Sequence, residues 1–216
     1  MNIKESSFFR KIAYLFRGYR EKHSFIQGRL NEIHVYGTKV GSRIQIMGNG
    51  NKVIIEKRGL LKDCLIKISG NNNTVILRRE AFVSGAELWV ENNGCTIEIG
   101  ARTFVGHHSH LACTGDGCCL SVGANGMISS YVQIRTGDSH SIVDMDGHRL
   151  NLEKSVKIGD HCWLGEGSKV LKGVTLEGDN VVSTGAIVTK SFNRNVLLGG
   201  IPAKVLKENI NWKSER

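Results

Sequence analysis

Ile158, Leu164, Val170, Leu176, Val182 and Val188 recur at intervals of six residues without a miss. Two positions before them stand Val156, Cys162, Ser168, Val174, Asn180 and Ala186, all small or medium-sized. A helix repeats its buried face about every 3.6 residues and a strand about every 2, so neither alone yields a period of six. A short strand followed by a corner does. Three such units close a triangular coil of about eighteen residues, the hexapeptide repeat of a parallel β-helix. The aliphatic residue then points into the prism, and the smaller one fills the tapering space beside it.

A second repeat precedes the first. Gly48-Asn-Gly-Asn-Lys-Val53, Gly70-Asn-Asn-Asn-Thr-Val75 and Asn92-Asn-Gly-Cys-Thr-Ile97 return every 21 or 22 residues. Ile55, Leu77, Ile99 and Val122 follow at steps of 22, 22 and 23, each trailed six later by Leu61, Val83, Val105 or Ile128. Each step reads as one coil plus an Asn/Gly corner, since both residues tolerate positive φ. The third interior position is less regular, because Ile66/Ile68 and Leu88/Val90 straddle the expected place. Register in the first coils is therefore open by a residue or two.

The rhythm breaks once. Val122 and its equivalent Ile158 are 36 residues apart, and the excess is the polar stretch Thr136 to Ser155. It must leave the coil and project, and long loops on rigid scaffolds commonly carry function.

Composition agrees with a narrow aliphatic interior: 26 glycines serve the corners, and large rings are few. The chain reads as three parts. Residues 1–30 form a basic region with an amphipathic helix over 5–22 (Phe8, Phe9, Ile12, Leu15, Phe16, Tyr19). Residues 31–198 form the β-helix with its loop 136–155, and residues 199–216 close the far end with a short helix from Val205 to Trp212. The first helix either covers the open first coil or docks on a membrane surface or polyanion.

The formal net charge is +9. A basic balance suits a polyanionic partner, whether acidic polysaccharide, membrane surface or nucleic acid. No recognised reading element supports nucleic acid. The six cysteines form no CxxC pair, which speaks against a structural zinc site and for a reducing compartment. No apolar run is long enough to cross a bilayer and no uninterrupted signal core opens the chain, so a cytoplasmic protein is expected, with residues 1–30 able to bring it to the inner face of a membrane.

The block Ile134-Arg-Thr-Gly-Asp-Ser-His140, Ile158-Gly-Asp-His-Cys-Trp163-Leu-Gly, Val170-Leu-Lys-Gly173 and Gly200-Ile-Pro-Ala-Lys204 resembles the hexapeptide-repeat O-acetyltransferases. Within them it is most similar to the capsular polysialic acid O-acetyltransferases, over about residues 40–212. The resemblance implies an all-β fold, a left-handed parallel β-helix, assembled as a homotrimer and using acetyl-coenzyme A. The left hand rests on the resemblance alone, because crossovers between parallel strands are otherwise nearly always right-handed. The family's catalytic His matches His140, and its essential Trp matches Trp163. The acceptor implied is an acidic polysaccharide. Other sugars, small molecules or non-catalytic polyanion binding are the alternatives.

These residues suit the chemistry. A sugar hydroxyl attacks a thioester only as its proton is removed, and an imidazole titrating near neutrality is the usual base. Asp138, Asp144 and Asp146 are candidates to orient it. Trp163 can serve the oxyanion with its backbone or indole N–H, or wall the acetyl pocket. Gly165, Ser183, Gly185 and Ala186 are small enough for a pantetheine arm to approach, and Lys190, Lys204 and Lys207 are the cations for its phosphates. His107, His108, His110 and His161 lack the H-x4-H pair of the γ-class carbonic anhydrases, so no metal is expected; His107 and His108 line an acceptor groove or face solvent. Cys162 occupies a small interior position and should be inert.

Overall fold

The computed structural model describes residues 24–215. The basic helix expected over 5–22 lies outside them. The described residues form 24 strands in three sheets of eight, seven and nine, and no helix. Up to the final hairpin, successive strands pass from the first sheet to the second to the third, and each pairs in parallel with the strand one coil away. The chain is a parallel β-solenoid of triangular section.

The six-residue period sets this shape. In the second sheet Ile55, Leu77, Ile99, Val122, Ile158 and Leu176 lie in register and are buried, with Val75, Ile97, Leu120 and Val156 beside them. In the third sheet Leu61, Val83, Val105, Ile128, Leu164 and Val182 do the same. Each such side chain contributes about 1.5–3 kcal/mol by leaving water. The open register also resolves. The early strands of the first sheet, such as Leu65–Ser69 and Glu87–Glu91, are five residues long. Two side chains from each therefore point inward, and Ile66, Ile68, Leu88 and Val90 are all buried.

The Asn/Gly corners sit between the first and second sheets and stack into two ladders. In the inner one, the Asn31 side-chain oxygen accepts the Asn51 N–H (3.0 Å), Asn51 that of Asn73 (3.0 Å), and Asn73 that of Cys95 (2.8 Å). Asn51 and Asn73 are fully buried, and their amide nitrogens donate to the carbonyls of Gly70 and Asn92 at 2.9 Å. The outer ladder runs Asn49, Asn71, Asn93 and ends on Asp116, with spacings of 2.8–3.0 Å. A buried amide is costly unless every polar atom is paired, and stacking identical corners supplies the partners.

The far end departs from expectation. Val205 to Trp212 is not a helix: strand Ala203–Glu208 folds back antiparallel on Val196–Gly200. Gly200, at φ +97°, opens the turn. Leu206 and Ile210 are spaced as on a helix face, but an unpaired sheet edge beside them offers backbone partners that local propensity cannot match. The segment beyond the hairpin then runs back along the coil. Ile210 N–H bonds Asn195 O (3.0 Å), and the Trp212 indole donates to His161 O (2.8 Å).

Candidate active site

The loop 136–155 leaves from the corner between the first and second sheets, the corner that lower coils fill with Asn and Gly. It follows strand Gln133–Arg135 and returns at Val156–Ile158. Its outer half is an irregular hairpin: Val143 bridges Arg149, Leu150 N–H bonds Ile142 O (2.8 Å), and Asp144 N–H bonds His148 O (3.0 Å). At the tip the Asp144 carboxylate accepts the N–H groups of Asp146 (3.0 Å) and His148 (2.8 Å). Lower down, Arg149 grips Glu153 with both terminal guanidinium nitrogens. These bonds hold the carboxyls of Asp144 and Glu153 below the ordinary carboxylate range, the His148 N–H and the Arg149 hydrogen bond being the largest causes.

His140 is exposed on the loop's outgoing arm, with its backbone fixed at both ends: its N–H bonds Asp138 O (2.9 Å), and its carbonyl accepts from Asn151 (2.8 Å). Among the described residues the imidazole itself has no hydrogen bond. The Asp138 carboxylate is engaged by Lys172 and Asn151 and lies below its usual pKa, chiefly because of the Lys172 bond. Asp144 serves the tip. Neither carboxylate bonds the His140 ring.

Trp163 belongs to the third sheet, on an outward column of Phe82, Phe104, Met127, Trp163, Val181 and Leu197. It is 38% exposed. Its backbone N–H bonds Asn180 O (2.8 Å) within the sheet, so that group is not free for an oxyanion. Its indole N–H makes only a long bond to Ser129 Oγ (3.3 Å). Trp212 from the C-terminal segment lies 6.0 Å away, stacked on His161 at 4.4 Å. In a triangular prism the corner carrying His140 faces away from the third sheet. One chain therefore keeps His140 and Trp163 apart.

The residues named for the cofactor divide. Gly165 and Ser183 follow equivalent strands at the corner between the third and first sheets, where Gly165 has no room for a side chain: a Cβ would meet Thr184 N at 2.7 Å. Gly185, at φ +70°, opens on free space. Lys204 pairs with Gly199 at the end of the same corner. Lys190 sits instead on the loop's corner, its amine 5.5 Å from the Phe192 ring centre, lining a groove of about 510 Å3 with Arg194 and Glu208. The Ala186 side chain is in the core, its N–H bonds Ser183 O and its carbonyl accepts from the Lys169 N–H.

The remaining histidines are spread over the prism. His108 stacks on Tyr131 (4.9 Å), with His107 beside it. His110 packs against Trp89 and is pushed toward the neutral form by burial. His161 bonds Asp179 (3.0 Å). Cys162 is buried, and burial pushes its thiol up to about 11, so it is no nucleophile. Residues to which the sequence assigns no role are Asn151 and Lys172 at the loop's root, Ser129 under Trp163, and Trp212 beside it.

A solenoid of six-residue units with a histidine loop on one corner and an outward tryptophan on the opposite face defines a hexapeptide-repeat acyltransferase scaffold. No protein-family model matches the chain. Among solved structures, the polysialic acid O-acetyltransferase OatWY is 30% identical, covers 90% of this chain and 92% of its own, and superposes with a TM-score of 0.84. The polysialic-acid-specific acetyltransferase NeuO is 29% identical with 90% of each chain covered and a TM-score of 0.79. Among curated relatives, the polysialic acid O-acetyltransferase of Escherichia coli O1:K1 / APEC is 32% identical over 115 residues, 53% of this chain and 37% of that protein. That of Neisseria meningitidis is 32% identical over 95 residues, 43% of this chain and 44% of that protein. The matched segments thus span less than half of these two curated relatives. The chain belongs to the hexapeptide-repeat O-acetyltransferases.

Proposed function

We propose that the protein transfers acetyl from acetyl-coenzyme A to a hydroxyl of an acidic capsular polysaccharide of the polysialic acid type, with His140 as general base. The hydroxyl oxygen attacks the thioester carbonyl while the imidazole takes its proton. The tetrahedral intermediate collapses with loss of the coenzyme A thiolate, which receives that proton. A positioned base contributes about 10²- to 10⁴-fold. Gly165, Ser183 and Gly185 flank the path of the pantetheine arm, and Lys190, Lys204 and Lys207 are the cations for its phosphates.

The observation that carries this reading is the separation of His140 from Trp163 on one chain. In the homotrimer of left-handed coils that the resemblance implies, a second copy brings its tryptophan to the loop. The loop's exposed apolar side chains, Ile142, Val143, Met145, Leu150 and Leu152, suit that contact. The enzyme acts in the cytoplasm, drawn to the inner membrane face by residues 1–30. The basic balance and the similarity to polysialic acid enzymes favour an acidic acceptor.

The test is thiol release from acetyl-coenzyme A with polysialic acid, neutral polysaccharides and free sugars. His140→Ala should lower turnover by about 10²- to 10⁴-fold in a folded trimer, and unchanged turnover refutes the assignment. Preference for long anionic chains should weaken with salt. A second reading, a neutral sugar as acceptor, draws on the galactoside O-acetyltransferase of Escherichia coli K12, 30% identical over 95 residues. Salt-independent turnover of free galactosides would favour it.

A further inference from the structure

Asn151 is a buried polar residue, only 8% accessible, in a loop that is mostly exposed. Its amide nitrogen donates to the His140 carbonyl (2.8 Å) and to Asp138 Oδ2 (3.0 Å). Its amide oxygen accepts from Ile142 N–H (2.7 Å) and, at longer range, from Arg149 Nε (3.4 Å). Donors meet acceptors at each contact, so only one orientation of the amide fits. One side chain thus ties positions 138, 140 and 142, which flank and include the histidine. The tie reaches the coil through Lys172, at the same corner one coil further on. Lys172 Nζ donates to the Asn151 carbonyl (2.9 Å) and to Asp138 Oδ2 (2.5 Å).

We propose that Asn151 is the positioning residue of His140, and that Lys172, through Asp138 and Asn151, rivets it to the frame. The inference rests on reading His140 as the base. With the His140 N–H and carbonyl both engaged, the ring retains only its side-chain torsions. No part of this network belongs to the aliphatic core, so the solenoid does not need it to fold. A base must sit within hydrogen-bond reach of the proton it takes, and a displacement of about 1 Å can cost about a hundredfold in rate.

The experiment uses the full chain with acetyl-coenzyme A and polysialic acid. Asn151→Ala should lower kcat about tenfold to a hundredfold, leave KM for acetyl-coenzyme A within about twofold, and keep the thermal transition of the parent. Lys172→Met should lower kcat in the same way and Lys172→Arg should restore most of it. Folded Asn151→Ala and Lys172→Met proteins with parental kcat overturn the inference, as does a loss carried wholly by KM. If Asn151→Ala does not fold, the two lysine variants decide alone. His140→Ala, measured alongside, separates the two failures: if it keeps its rate, the base assignment falls first.

Discussion

At the scale of single residues, the hydrogen bonds of Trp163 narrow its role. Its backbone N–H is part of the sheet and its indole N–H makes a long bond to Ser129, so in the proposed reaction we assign the ring as a wall of the acetyl pocket. Trp163→Phe should therefore keep activity within about tenfold, whereas Trp163→Ala should lose about a hundredfold; equal losses on removing the indole N–H would instead mark an oxyanion donor. The Asp138 carboxyl supports a pH prediction. Its pKa is depressed in the folded chain, so the stabilisation is present above the ordinary aspartate value and is lost as pH falls through the lower folded one. Hydrogen exchange across 138–151, corrected for intrinsic rates, should quicken in that acid window while the coil stays protected. Lys172→Met should show the same quickening already at neutral pH.

The residue scale is also where the sequence was least legible. His140 and Trp163 stand in recognisable motifs, but Asn151 joins partners 9 to 13 residues away and Lys172 reaches back 34. Such pairings follow from the folded loop and leave no spacing to read.

Elements were more legible, because each coil repeats one physical requirement. An aliphatic side chain every six residues and an Asn/Gly corner every 22 specify strand, corner and stacking direction together. Substituting a core residue such as Leu77→Ala should cost about 2–5 kcal/mol in urea unfolding. The two amide ladders predict a contrast. Asn73→Ala, in the buried ladder, leaves the Cys95 N–H and the Asn92 carbonyl without partners and should cost about 1–3 kcal/mol. Asn71→Ala, in the exposed ladder, lets water replace the amide and should cost clearly less. Equal losses would mean that burial does not govern the ladders. The final hairpin is not legible in the sequence, because it depends on the assembled coil. A four-residue spacing of Leu206 and Ile210 suits a helix locally, whereas the antiparallel pairing with Val196–Gly200 depends on an edge that only the assembled coil presents.

At the scale of the whole molecule, function is predicted to depend on association. Met145 is fully exposed (101%) at the loop tip, and Ile142 and Val143 are exposed beside it. Charge placed there, as in Ile142→Asp with Met145→Asp, should give chains with unchanged β-structure by circular dichroism, a smaller mass by light scattering and little turnover. Retained activity in a monomer would show that one chain suffices. That the polar, turn-rich loop projects could be seen in the sequence, but the opposed placement of His140 and Trp163 could not, because it requires knowing which corner the insertion occupies.

The closing hairpin carries a last consequence. Every other strand in the stack advances in one direction, and such a stack could in principle lengthen indefinitely by adding rungs from another molecule. The reversed strand Ala203–Glu208 ends the third sheet with a rung of the wrong polarity for that growth. Chains shortened before Gly199 should consequently associate end to end into filaments that scatter light and bind amyloid dyes.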